Sequence, residues 1–186
     1  MSERGARRFS HAIAEGDGIS IVVEVDGVDA AKAAELDGAE ALVVQGDMGS
    51  LRDATELPIL WTGGSAEEAA RSGADACIVD ASDLGEDGTR LAATSALGID
   101  CVVSVRDDEE LKRVLEDHDP EILLLAGDLE RALELLADVP VGKLAIARAV
   151  SVTREEVVEL ERRGVDAVIV PSRSAAGLVG SAPPPV

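Results

Sequence analysis

One phrase returns along the chain: a glycine, an acidic residue, then a run of apolar and β-branched side chains. It reads Gly38-Ala39-Glu40-Ala41-Leu42-Val43-Val44, then Gly73-Ala74-Asp75-Ala76-Cys77-Ile78-Val79. It comes back as Gly98-Ile99-Asp100-Cys101-Val102-Val103 and as Gly164-Val165-Asp166-Ala167-Val168-Ile169-Val170. A glycine there ends a preceding helix, because it accepts the left-handed backbone of a C-terminal cap. An apolar run without polar alternation is a strand buried on both faces, which is the condition of a parallel sheet. Four more runs complete the series: Ile19–Val25, the short Pro58–Trp61, Glu121–Leu125 and Lys143–Ala147. Strand starts therefore fall near residues 19, 41, 58, 76, 100, 121, 143 and 167, spaced 17 to 24 residues apart.

Helical patterns fill the intervals. Val28–Leu36 is alanine-rich. Ser65 with Glu68 makes a capping box that opens a helix to Ser72. Thr89–Leu97 follows. Asp107–Asp117 puts Leu111, Val114 and Leu115 on one stripe, and Asp128–Ala137 does the same with Leu129, Leu133 and Leu136. Thr153 and Glu156 start a helix with apolar positions Val157, Val158 and Leu160. The segment after Leu51 carries no decisive pattern. Eight strands alternating with helices in a chain of 186 residues imply an α/β fold, a compact (βα)8 TIM barrel with pared-down loops. The alternative is an open doubly wound sheet, which usually has fewer strands and a glycine-rich first turn. Here Gly16-Asp17-Gly18 precedes the first strand and Ile21 stands where the third glycine would fall, so no dinucleotide fingerprint is present. The expected organisation is a lead-in over 1–16 with about one helical turn, a single barrel domain over 17–180, and a disordered, Pro-rich tail over 181–186.

Composition narrows the function. With 17 Lys+Arg against 37 Asp+Glu the net charge is −20, which repels nucleic acid and anionic membrane alike. Phe9 and Trp61 are the only aromatic residues, so base-stacking platforms are not expected. No apolar run approaches a membrane span and no charged-then-apolar leader opens the chain, so a cytoplasmic location is expected. Cys77 and Cys101 lie in neighbouring strands and read as small core residues. His11 and His118 read as solvated. There is no Walker loop, Cys-x-x-Cys or helical His pair, so no metal or cofactor is expected. The acidic residues are spread along the chain rather than gathered in a tail. They read as a solvated surface suited to high salt, with an acidic docking face for a basic partner protein as the alternative. A homo-oligomer is also open.

In a barrel, function gathers where strands end. Those positions hold Glu24 and Asp26, Gln45 and Asp47, Thr62-Gly63-Gly64, Asp80, Ser104 and Arg106, Gly127-Asp128, Arg148, and Ser172-Arg173-Ser174. One reading is a set of ion pairs filling the barrel mouth. The other is an anion pocket that takes a phosphorylated small molecule. Arg148 and Arg173, with Arg106, Ser172 and Ser174, would hold the phosphate. Glu24, Asp26 and Asp80 would be the catalytic carboxylates, Glu24 as general acid or base. Gly63-Gly64 before the capped helix is a second, weaker anion nest.

Several phrases resemble the indole-3-glycerol-phosphate synthase family. They are Cys101-Val102-Val103-Ser104-Val105-Arg106-Asp107-Asp108-Glu109-Glu110-Leu111, Thr153-Arg154-Glu155-Glu156-Val157 and the stretch Gly164 to Val170. The opening Arg8-Phe9-Ser10 with Ile19 to Val25, and Pro58-Ile59-Leu60, are similar to that family's first and third strands. The resemblance implies a ribulose-phosphate-binding barrel. It also implies a lyase of tryptophan biosynthesis, closing a ring with loss of carbon dioxide and water. Glu24 matches the family's first-strand glutamate. The family's third-strand catalytic lysine falls at Thr62, its fifth-strand glutamate at Ser104, its sixth-strand asparagine near Leu125, and its seventh-strand Glu-Ser-Gly at Arg148-Ala149-Val150. Its eighth-strand glycine falls at Pro171, which has no backbone N–H to donate. Threonine cannot supply a proton at neutral pH, so the replacement at Thr62 removes the synthase's acid. Three readings follow: a diverged phosphate-binding barrel, an active sugar-phosphate isomerase or lyase of the same barrel group, and a non-enzymatic partner subunit.

The charge reading predicts that circular dichroism will show loss of structure on dialysis from molar KCl into dilute buffer. A fold that persists unchanged at low salt favours the docking face.

Overall fold

The apolar runs line up side by side in chain order and the last returns to the first. The computed structural model describes residues 7–15, 18–46, 48–85, 88–176 and 178. Its strands are β1 Ser20–Val25, β2 Ala41–Val44, β3 Ile59–Trp61, β4 Ala76–Asp80, β5 Asp100–Val105, β6 Ile122–Leu125, β7 Leu144–Arg148 and β8 Ala167–Pro171. Every neighbouring pair is parallel, and β8 pairs with β1 through Ser20 opposite Ala167 to Glu24 opposite Pro171. The sheet is thus a closed barrel, and the open-edged alternative is excluded.

Between strands run α2 Val28–Leu36, α3 Leu51–Ala54, α4 Ala66–Ser72, α5 Thr89–Ala96, α6 Asp108–Asp117, α7 Leu129–Leu136 and α8 Arg154–Arg163. A short α9, Ser172–Ala175, follows β8. The capping boxes of Ser65 with Glu68 and Thr153 with Glu156 both form. Gly73 and Gly164 end α4 and α8 at φ 84° and 97°, a region where a Cβ is strained.

Alternation along each strand splits the core in two. Ile21, Val23, Val103, Val105, Val168 and Val170 face the helix layer. Val22, Val43, Leu60, Val102, Ile122, Ile146 and Ile169 fill the barrel itself. This is why the runs lack polar alternation: both faces are covered.

The lead-in departs from expectation. Residues Arg8–Ala14 form a two-turn helix, α1, whose Phe9 and Ile13 are 0% and 2% exposed and join the barrel-interior cluster. The helix therefore stoppers the end where the strands begin. His11 lies on its exposed face. Gly16, Asp17 and the Pro-rich tail at 181–186 lie outside the described residues.

In three of the four copies the acidic member of the repeat proves structural. Asp75 accepts the Ile59 N–H at 2.9 Å and meets the Arg52 and Arg8 guanidiniums at 3.0 and 3.1 Å. Asp100 accepts the Ser10 N–H at 2.8 Å, and Asp166 accepts the Ala145 N–H at 2.7 Å. Each ties the start of one strand to a neighbour or to α1. Burial raises Asp166 above its ordinary value, against the opposing pull of the Ala145 N–H.

Two outcomes are expected. Phe9→Ala should cost about 3–5 kcal/mol in urea unfolding, since it hollows the barrel's lower end. Because the folded state holds the Asp166 proton more tightly, that carboxyl contributes stability below about pH 4, lost as pH rises. Asp166→Asn keeps the acceptor for Ala145 and removes the charge. It should therefore be neutral or stabilising at pH 7 and give up that advantage in acid, as read from melts across pH.

Candidate functional site

The same alternation that fills the barrel turns polar at its upper rim. Two residues beyond inward Val22 comes Glu24, and two beyond Ile146 comes Arg148. Asp80 follows inward Ile78, and Ser104 follows Val102. These side chains line a cavity of about 1140 Å³ at the C-terminal ends of the strands. Apolar Val43, Ile78 and Leu124 lie beneath them, shared with the barrel interior.

Of the residues singled out from the sequence, Glu24, Asp26, Asp80, Arg148 and Ser172 all line this cavity, with Gln45, Thr62, Gly64, Ser104 and Gly127. Arg148 Nη1 and Glu24 Oε1 form an ion pair at 2.8 Å, the side chains being 41% and 37% exposed. The pair reaches across β8, where Pro171 faces Glu24 and Ile169 faces Arg148, neither of them charged. Ser104 is only 7% exposed. Thr62 donates its hydroxyl to the Val44 carbonyl at 3.3 Å.

Four other predicted residues are placed differently. Arg106 turns from the cavity onto Glu110 of α6, its Nε 3.2 Å from Oε1. Glu110 also accepts the Arg106 N–H at 2.9 Å. The Arg106 hydrogen bonds hold the Glu110 carboxyl below the usual carboxylate range, against the effect of burial. Arg173 is exposed on α9, and neither it nor Ser174 lines the cavity. Asp128 caps α7 by accepting the Arg131 N–H at 2.9 Å. Asp47 lies outside the described residues. The expected nest at Gly63-Gly64 is already served by the chain itself. The Glu68 carboxylate takes the Ser65 N–H at 3.0 Å, the place an external anion would need.

The strand-end inventory missed the helical wall. Glu67 of α4, Asp83, and Arg90 and Thr94 of α5 also line the cavity. Arg90 Nη1 lies 4.0 Å from Asp83 Oδ2. The signal existed: the first turn of a helix that follows a barrel strand sits near the rim. Arg90 and Glu67 both occupy such turns.

The cysteines take no part. Cys77 and Cys101 face one another in the β4–β5 register, on the helix side of the sheet. Burial pushes their thiols up to about 11 and about 12, so both stay protonated at neutral pH and are poor nucleophiles. His118, expected in solvent, is half-buried at the end of α6. Its Nδ1 has no hydrogen-bond partner among the described residues.

Closed parallel strands, surrounding helices and a polar cavity at the strands' C-terminal ends define the (βα)8 TIM-barrel class. No family model matches the chain, and no curated protein matches it. Solved structures do. An N-acetylmannosamine-6-phosphate 2-epimerase from Clostridium perfringens aligns with TM-score 0.70 at 16% identity, over 84% of this chain and 88% of that one. An oxaloacetate acetylhydrolase aligns with TM-score 0.66 at 18% identity, over 90% of this chain and 80% of that one. At such identities the likeness is one of fold. No helix among the described residues is long and apolar enough to cross a membrane.

Proposed function

We propose that the chain binds a phosphorylated small molecule at the barrel mouth and acts on it as a sugar-phosphate isomerase, epimerase or lyase. The observation that carries this is the placement of Arg148 and Ser172, at the ends of β7 and β8, in one cavity with Glu24, Asp26 and Asp80. A guanidinium offers a planar fork that matches phosphate oxygens. Ser172 adds a hydroxyl in the same cavity.

The carboxylates suit proton transfer at a carbon next to a carbonyl. Glu24 would take that proton and return it, while Asp26 and Asp80 would hold substrate hydroxyls. One of the fold neighbours is an N-acetylmannosamine-6-phosphate 2-epimerase, which accords with this reaction class. Ring closure of the synthase kind is not the favoured reading. The third-strand lysine it needs is Thr62 here, and that hydroxyl is engaged with the Val44 carbonyl.

The test is thermal stabilisation by inorganic phosphate and by a panel of sugar phosphates. At a ligand concentration about 100 times Kd, binding adds about 2.7 kcal/mol. Arg148→Ala should abolish the shift and Arg173→Ala should leave it. A shift that survives Arg148→Ala places the ligand elsewhere. Solvent-deuterium exchange into a bound sugar phosphate, lost in Glu24→Gln, would identify the base.

A further inference from the structure

We propose that Glu24 occupies the place on Arg148 that the ligand's anionic group takes on binding, so that seating the anion and freeing Glu24 are one event. The inference rests on the reading of Arg148 as the phosphate residue, and it adds how the two functional side chains are coupled.

The geometry is specific. Arg148 and Glu24 meet at 2.8 Å and both line the cavity. They come from β7 and β1, and intervening β8 sets uncharged Pro171 opposite Glu24 and Ile169 opposite Arg148. No other acidic partner holds Arg148 among the described residues. Asp26, just beyond the end of β1, lines the cavity without an ion pair to it. The pair is about two-fifths exposed, so solvent screens it and it is weakly held.

An arriving phosphate would bring its charge onto the same guanidinium. Two anions sharing it repel, and at the effective dielectric of a protein surface this exceeds what a half-exposed pair returns. The dianion makes the stronger, forked contact, so Glu24 gives way. Its carboxylate, released from Arg148, then lies free beside the bound substrate. A general base that is masked until the anionic group is seated would act only on ligands bearing that group. Small uncharged sugars would find Glu24 still engaged.

Calorimetric titration with inorganic phosphate tests this. It is run in about 1 M KCl, where the screening length is about 3 Å and long-range charge effects fade. Glu24→Gln removes the competing charge. Glu24→Asp keeps the charge but is one methylene too short for the observed contact. Both variants should bind phosphate about five-fold more tightly than the unaltered chain, the range of an exposed pair's worth. Glu67→Gln, which removes a cavity-lining carboxylate that makes no ion pair with Arg148, should match the unaltered chain. A gain in Glu24→Gln that is absent from Glu24→Asp would make the effect one of charge alone and overturn the displacement. Equal affinity in all four proteins would overturn it as well, while leaving phosphate binding at Arg148 intact. If none binds phosphate, the functional reading beneath the inference falls, and the inference with it.

Discussion

Closing a parallel sheet on itself leaves no strand with a face toward water. Outward side chains meet helices and inward ones meet each other, so both sets must be apolar wherever the barrel is full. In this chain the condition holds from the α1 stopper, where Phe9 and Ile13 enter the interior, up to Ile78, Leu124 and Ile146. One inward step higher, packing no longer requires apolar residues. Glu24, Asp80, Ser104 and Arg148 stand there. The site is the level at which the barrel stops needing to be hydrophobic.

Charge is divided between the two ends by role. At the lower end Asp75, Asp100 and Asp166 accept backbone N–H groups or bind arginines from α1 and α3, and so hold the strand starts together. At the upper end the carboxylates face an open cavity, and Glu24 is held by a single weakly buried ion pair. The chain's large excess of acid is therefore not all surface. Some of it is architecture, and some surrounds the cavity where chemistry would occur.

Most of the architecture was legible because strand and helix signals are local. The repeated glycine and apolar run located β2, β4, β5 and β8, and capping boxes placed the starts of α4 and α8 to the residue. The lead-in was harder. Phe9 and Ile13 are two apolar residues in a polar stretch, and only the hole at the bottom of a closed barrel makes them core. The rim was partly legible, since period-two alternation marks Glu24, Asp80 and Arg148 as inward. The arginines were not distinguishable by sequence. Arg106 and Arg148 both end strands, but Arg106 is followed four residues later by Glu110 on a helix turn that captures it. Arg148 has no such neighbour and crosses to β1 instead.

What the order of residues determined alone was the alternation of strand and helix, the helix caps, and which positions of each strand share a face, because these depend on neighbours a few residues apart. Tertiary structure decided that β8 returns to β1, that α1 fills the lower opening, and that Glu24 meets Arg148. Those contacts join segments far apart in the chain, and their distances follow from closure of the sheet rather than from any local preference.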